Sequence, residues 1–68
     1  MNLKALKAEI IKNGLTISQL ADMIDLERKT LYHRMNGSIQ FKLHEVVAIA
    51  KILKLSDDDI IRIFLKEG

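Results

Sequence analysis

The sequence predicts an all-α fold, a compact bundle of five short helices. Three observations predict it: proline is absent, apolar residues recur at helical spacing, and typical helix-starting and helix-ending residues separate the apolar stretches. The chain has 68 residues. Because a chain of this size buries only about 60% of its unfolded surface, we expect a single domain, residues 1–68, with one core.

The first two helices are marked by their ends. Helix one is predicted over about Leu3 to Lys12 and ends at Asn13-Gly14, since glycine readily takes the left-handed conformation that terminates a helix. Helix two begins after Thr16. The pattern Thr16-Ile-Ser-Gln19 is a capping box, in which the threonine oxygen and the glutamine side chain satisfy two otherwise unpaired amides.

The remaining three helices follow from the same signals. Helix three is predicted from about Glu27 to Met35 and ends at Asn36-Gly37, and a loop, residues 37–42, follows it. Helix four is predicted over about Leu43 to Leu53. Its expected inward stripe consists of Leu43, Val46, Val47, Ala50 and Leu53. Helix five begins at Ser56 with carboxylates at the positive end of its dipole. Its expected inward residues are Ile60, Ile63 and Phe64.

Composition excludes several kinds of site. The absence of cysteine excludes disulfides, cysteine zinc ligands and thiol catalysis. No serine lies in a nucleophile elbow, no glycine-rich phosphate cradle exists, and His33 and His44 lack partner ligands at metal-binding spacing. We therefore expect no enzyme, no cofactor and no metal. No apolar run reaches a membrane span, and the start MNLKALKAEI lacks the apolar block of a signal peptide, so we expect a cytoplasmic protein.

The positive charge is concentrated in one region. The net charge is only +2, but residues 1–42 carry seven bases and four acids, whereas residues 43–68 carry four bases and five acids. Between Arg28 and Lys42 there is no acid. The excess of cations therefore lies on helix three and the loop after it, where an anionic partner is favoured.

Helices two and three together have the spacing of a helix-turn-helix. They are short and are separated by a few residues, and Ala21 is small enough to let helix three cross close to helix two. On helix three, Leu31 and Met35 are four apart and should point inward. The opposite face should then carry polar and basic side chains: Lys29, Tyr32, His33 and Asn36, with Arg28 on its flank.

Here the chain resembles the Cro and cI type helix-turn-helix of phage repressors, the lambda-repressor-like or Xre-like domain. The resemblance covers nearly the whole chain. The residues that carry it are Leu15-Thr16, Gln19-Leu20-Ala21, Leu31, Asn36-Gly37, Ile49-Ala50-Lys51 and Leu53. It implies a lambda-repressor-like fold and a bacterial, phage or prophage regulator, acting in the cytoplasm of the host by binding a double-stranded DNA operator.

The resemblance also implies roles for particular residues. The recognition helix of this family lies in the major groove, and its base-reading positions match Arg28, Lys29, Tyr32 and His33. The start of helix two would offer Thr16, Ile17 and Ser18 to a phosphate. On the other side, Asn36, Ser38 and Lys42 would hold the DNA backbone. Arg34 lies nearer the core face, where a salt bridge to Asp22 or Glu27 competes with DNA contact.

The chain departs from the family pattern in four ways, the last of which concerns a pair of residues. Ile17 replaces a common glutamine, Asp25 the usual turn glycine, and Glu27 the usual serine or threonine cap. Ile10 and Met35 replace an arginine and a glutamate that many members pair between helices one and three. Because both have become apolar, no buried charge is stranded, and we expect Ile10 to contact Met35.

The sequence is compatible with two functions. The first is a small Cro-like transcriptional regulator, a repressor that forms a homodimer through helix five. On that helix Ile61 and Leu65 are left outside the core and are the predicted interface residues. The second is an antirepressor or antitoxin-like module that keeps the fold and binds a partner protein, for example a partner repressor; Ile17 and Glu27 favour it.

Overall fold

The computed structural model describes residues 1–65, and these residues form helices and turns without a strand. The helices are α1 (Leu3–Lys12), α2 (Ile17–Met23), α3 (Arg28–Met35), α4 (Leu43–Leu53) and α5 (Asp57–Ile60), and a π-helical turn, Ile61–Leu65, continues α5. The predicted all-α fold with five helices is therefore confirmed. No helix among these residues is long and apolar enough to cross a membrane.

Two helices begin at capping boxes, where the sequence predicts a capping box at Thr16 and a cap at Ser56. Thr16 Oγ1 accepts a hydrogen bond from the Gln19 amide at 3.1 Å, and Gln19 Oε1 accepts one from the Thr16 amide at 2.9 Å. Ser56 and Asp59 make the same reciprocal pair at the start of α5, with both distances 3.1 Å. These bonds satisfy amides that have no partner inside the helix, and they fix where α2 and α5 begin.

One cluster of buried aliphatic side chains joins helices α1 to α4 and the π-helical turn. Its members are Ala5, Leu6, Ile10, Leu20, Ala21, Leu31, Met35, Ile49, Leu53 and Ile63. Ile10 and Met35 both belong to this cluster, so each apolar replacement has apolar surroundings. A direct contact between the two side chains stays a prediction.

The inward face of α4 differs from the predicted one. Glu45, Ile49 and Leu53, spaced four apart, are buried, whereas Leu43 is 80% exposed and Val47 is 45% exposed. The prediction that Leu43 and Val47 face inward is therefore wrong. The reason is that the carboxylate of Glu45 faces the interior and pairs there with a cation of α3, so the side of α4 that holds Leu43 and Val47 is turned outward.

The last described segment packs against the start of the chain. Ile63 is fully buried, as predicted, while Ile60 and Phe64 are half-buried. The backbone amide of Asn2 donates to the Ile63 carbonyl at 2.7 Å, and the Asn2 side chain caps the N terminus of α1. The rings of Phe64 and Phe41 meet edge to face with their centroids 5.4 Å apart. The bundle is thus closed where its first and last described segments meet.

Candidate nucleic-acid interface

The turn between α2 and α3 is fixed by its backbone. The Leu26 amide donates to the Ala21 carbonyl at 2.9 Å, and the Asp25 amide donates to the Asp22 carbonyl at 3.3 Å. These two bonds form the Schellman pattern of helix termination, which requires a left-handed residue. Asp25 supplies it with φ 60°, so the expectation that Asp25 takes the usual place of glycine is confirmed. The buried Ala21 leaves room for α3 to cross.

The α3 helix has an inward and an outward side. Leu31 and Met35 are buried, as the spacing predicts. Three of the four candidate base-reading side chains are exposed and the fourth is half-buried; in chain order they are Arg28, Lys29, Tyr32 and His33. All four lie within the first two turns of one helix, so a single rigid element holds them.

Three exposed cations on α3 and at the end of the loop after it are not engaged within the described part of the chain. Among residues 1–65, Arg28, Lys29 and Lys42 take part in no ion pair. An external anion can therefore approach them without first breaking an internal contact. Glu27, the N-cap of α3, is also exposed and its side chain makes no capping hydrogen bond. An acid at this end of a helix suits the helix dipole, but it places one negative charge beside Arg28.

The first turn of α2 offers backbone amides. The capping box engages the amides of Thr16 and Gln19, whereas the amides of Ile17 and Ser18 donate to no acceptor within residues 1–65. The Ile17 side chain packs against the core cluster, which leaves its amide as its only polar group for a ligand. Unpaired amides at a helix N terminus favour an anion such as phosphate.

The loop after α3 folds back on the last turn of that helix. Asn36 Oδ1 accepts a hydrogen bond from the Ser38 amide at 3.0 Å, and the Ile39 amide donates to the His33 carbonyl at 3.3 Å. Asn36 and Ser38 are exposed beside the helix end. Lys42 lies at the far end of the loop, where it is the N-cap residue of α4.

A buried ion pair joins α3 to α4. Arg34 Nε donates to Glu45 Oε1 at 2.8 Å, and Arg34 Nη2 donates to Glu45 Oε2 at 3.2 Å. The two residues are only 8% and 3% exposed. The salt bridge to Asp22 or Glu27, which the sequence offers Arg34 as an alternative to DNA contact, does not form, because Arg34 pairs with Glu45 instead.

The ion pair shifts the pKa of both residues. The hydrogen bonds from Arg34 hold the pKa of Glu45 below its usual range, against the opposing effect of burial. The same bonds raise the pKa of Arg34. The sequence contains one signal for this contact: Glu45 is four residues before Ile49, on the stripe of α4 that holds core residues.

Apolar side chains lie exposed on α4 and on the π-helical turn. Ile61 is 42% exposed and Leu65 is 73% exposed, which agrees with their predicted place outside the core. On α4, Leu43 and Val47 are also exposed. A contiguous exposed apolar patch commonly marks a contact with another protein.

The acidic first turn of α5 is engaged internally. Arg62 Nη2 donates to Asp59 Oδ1 at 3.0 Å, and this bond, together with those from Ser56, lowers the pKa of Asp59. Arg62 also reaches Glu9 of α1 at 3.4 Å. Among residues 1–65, no group of three or more His, Asp or Glu side chains is close enough to hold a metal ion.

Comparison with known proteins places the α2–α3 pair at the centre of a recognised pattern. A family model described as "Helix-turn-helix" matches residues 6–60, a range that includes most of α1 and all of α2 to α5. No curated protein and no solved structure matches the chain.

Proposed function

The chain belongs to the Xre/cI-type helix-turn-helix family of DNA-binding transcription regulators, and we propose that it is a small Cro-like repressor that binds a double-stranded operator. The observation that carries the proposal is the two-sided α3 helix. Its inward side is held by Leu31 and Met35 in the core. Its outward side presents cations that form no ion pair among residues 1–65, and a helix of this kind fits the major groove.

Base recognition is assigned to the first two turns of α3. Arginine or lysine to guanine O6 and N7 is the commonest specific contact in the major groove, so Arg28 and Lys29 are the candidates for guanine. Tyr32 and His33 follow on the same side and can donate hydrogen bonds to base edges or stack against them. Substituting a base-reading residue should relax sequence preference at one position of the operator.

Phosphate contacts are assigned to the two flanks of α3. On one flank, Thr16, Ile17 and Ser18 lie at the start of α2, where the amides of Ile17 and Ser18 donate to no acceptor among residues 1–65 and suit an anion. On the other flank, Asn36, Ser38 and Lys42 offer an amide, a hydroxyl and an ammonium group. Contacts of this kind set the register of the protein on DNA without reading its sequence.

The operator-bound form is proposed to be a homodimer, each protomer a single domain of residues 1–68. Ile61 and Leu65, predicted as the interface, are exposed, and Leu43 and Val47 enlarge the apolar surface that a partner protomer can cover. A two-fold dimer requires an operator with two half-sites about one helical turn apart. A phage or prophage origin and a site of action in the host cytoplasm complete the proposal.

The test is footprinting on the DNA that flanks the gene of this protein, followed by binding of three variants. Arg28→Ala should relax base preference, whereas Lys42→Ala should weaken binding to all sequences alike. Lys51→Ala is the charge-matched control, because Lys51 lies about 13 Å along α4 from Lys42 and outside the proposed surface. Equal effects of the three substitutions would contradict the assigned roles.

A second candidate is an antirepressor or antitoxin-like protein that binds a partner protein, such as a repressor, with the same fold. The exposed apolar side chains Leu43, Val47, Ile61 and Leu65 favour it. This candidate predicts that no footprint forms on DNA. It also predicts that the protein captures a partner protein, and that Leu65→Asp abolishes this capture whereas Arg28→Ala does not. A footprint at an operator would favour the repressor.

A further inference from the structure

The carboxylate of Glu45 joins three parts of the chain. Its Oε1 accepts from Arg34 Nε of α3 at 2.8 Å and from the backbone amide of Lys42 at 2.8 Å. Its Oε2 accepts from Arg34 Nη2 at 3.2 Å. One buried side chain at the start of α4 therefore holds both the last turn of α3 and the end of the loop that follows it.

Both tied positions are next to the proposed DNA contacts. Arg34 directly follows His33 in α3, and Lys42 is itself a proposed phosphate contact. The loop between them begins with the bonds from Ser38 to Asn36 and from Ile39 to His33. Its two ends are thus both fastened, the first by α3 and the second by Glu45.

Stability alone is a weak reason for such a pair. Removing two charges from water costs free energy, and replacing a buried ion pair by apolar residues of similar volume is often neutral or stabilising. An apolar pair at positions 34 and 45 would fill the same space. What it would lack is direction: the planar guanidinium meets the carboxylate through two parallel bonds, which fix the rotation of α3 relative to α4.

We propose that Glu45 is a positioning residue for DNA recognition, holding α3 through Arg34 and the phosphate-contacting Lys42 through its amide in one fixed register. The inference rests on the proposed DNA-binding function. It adds that sequence discrimination depends on a residue that lies in the interior and touches no DNA. The predicted consequence of losing this residue is a fall in discrimination that is separate from any fall in stability.

The experiment compares the wild type with the double variant Arg34→Met/Glu45→Leu, which replaces the ion pair by apolar side chains. The probe is the duplex that the wild type enriches from a random-sequence library, against a scrambled duplex of the same composition. The measured quantity is the ratio of the dissociation constant for the scrambled duplex to that for the enriched duplex. The proposal is supported if the double variant is stable, this ratio falls by about tenfold or more, and the affinity for the scrambled duplex changes little. An unchanged ratio would overturn it. Arg62→Met is the control, since Arg62 pairs with Glu9 and Asp59 outside the proposed DNA-binding surface.

Two further measurements keep the test decisive. If the double variant does not fold, Glu45→Gln is compared in the same way below its melting temperature, with the same two outcomes. In the wild type, hydrogen exchange should show the Lys42 amide protected relative to the Gln40 amide, and an unprotected Lys42 amide would refute the tie directly. If the wild type enriches no sequence, the proposed function fails, and with it the role in recognition; the exchange measurement still decides whether Glu45 holds Lys42.

Discussion

Glu45→Gln should destabilise the fold far more than any exchange of a surface acid. Glu45 is 3% exposed and accepts three hydrogen bonds, two from Arg34 and one from the Lys42 amide. Glutamine can keep an acceptor toward one donor, but its amino group would oppose another donor, and the negative charge is lost. Removing one partner of a buried pair typically costs about 3 to 5 kcal/mol. Because glutamine keeps one acceptor and nearly the same shape, we expect the lower end, about 3 kcal/mol.

This loss is large for a chain of 68 residues, whose whole stability is expected to be about 3 to 10 kcal/mol. The melting temperature should fall by about 12 to 24 °C, measured by circular dichroism at 222 nm during heating and in urea. The control is Glu9→Gln. Glu9 meets the half-exposed Arg62 at 3.4 Å, and exposed pairs contribute about 1 kcal/mol or less. Equal destabilisation by Glu45→Gln and Glu9→Gln would refute this reasoning.

The pH dependence gives the same experiment a second result. Arg34 holds the pKa of Glu45 in the folded state below its usual range, so the contribution of Glu45 is fully present above the unfolded pKa of about 4.3. It is lost as the pH falls through the lowered folded pKa. Between pH 5 and pH 2 the wild type should therefore lose more stability than Glu45→Gln. If the free energy of unfolding falls in parallel for the two proteins as the pH is lowered, the ion pair of Glu45 is not what distinguishes them, and the reasoning is refuted.

Substitutions at three other positions test the fold. Thr16→Ala removes the oxygen that caps α2 and should cost about 1 kcal/mol in urea unfolding, whereas Thr16→Ser should cost little. Asp25→Gly should raise the melting temperature by a few degrees, because glycine takes the left-handed conformation of this position more easily; Asp25→Val should lower it. Ile10→Arg places an unpaired charge in the core beside other buried apolar groups and should lower stability by several kcal/mol; an unchanged urea midpoint would contradict the expected contact of Ile10 with Met35.

Local signals in the sequence are sufficient to predict where the helices begin and end. Caps, stops and apolar spacing act over three or four residues, so the start of α2 at Thr16 and the left-handed turn at Asp25 could be predicted from the chain alone. The same applies to the outward side of α3, because Leu31 and Met35 determine which side is buried. These features depend on neighbours in sequence and on little else.

The rotation of α4 could not be predicted in this way. Counting apolar residues favours Leu43 and Val47 as core residues, since burial of aliphatic side chains is the dominant stabilising effect. The buried stripe contains Glu45 instead, because Arg34, eleven residues earlier in the chain, offers two hydrogen bonds there. The rotation of α4 is therefore determined by an ion pair between two helices, and the spacing of apolar residues within α4 does not reveal it.

The salt dependence of DNA binding can distinguish one protomer from two. Three cations per chain, Arg28, Lys29 and Lys42, lie on the proposed surface and are in no ion pair among residues 1–65. If each neutralises one phosphate, the slope of log Kobs against log salt concentration is about −2.7 for a monomer and about −5.4 for a two-fold dimer. Between 50 and 200 mM salt, affinity should then fall about 40-fold for a monomer and about 2,000-fold for a dimer.

Fluorescence anisotropy across this range of salt concentration measures the slope. In a dimer, Lys42→Ala should make it shallower by about 1.8, since each substitution removes two contacts, while Lys51→Ala should leave it unchanged. A slope near −2.7 that Leu65→Asp does not alter would refute the dimer while leaving the DNA-binding surface intact.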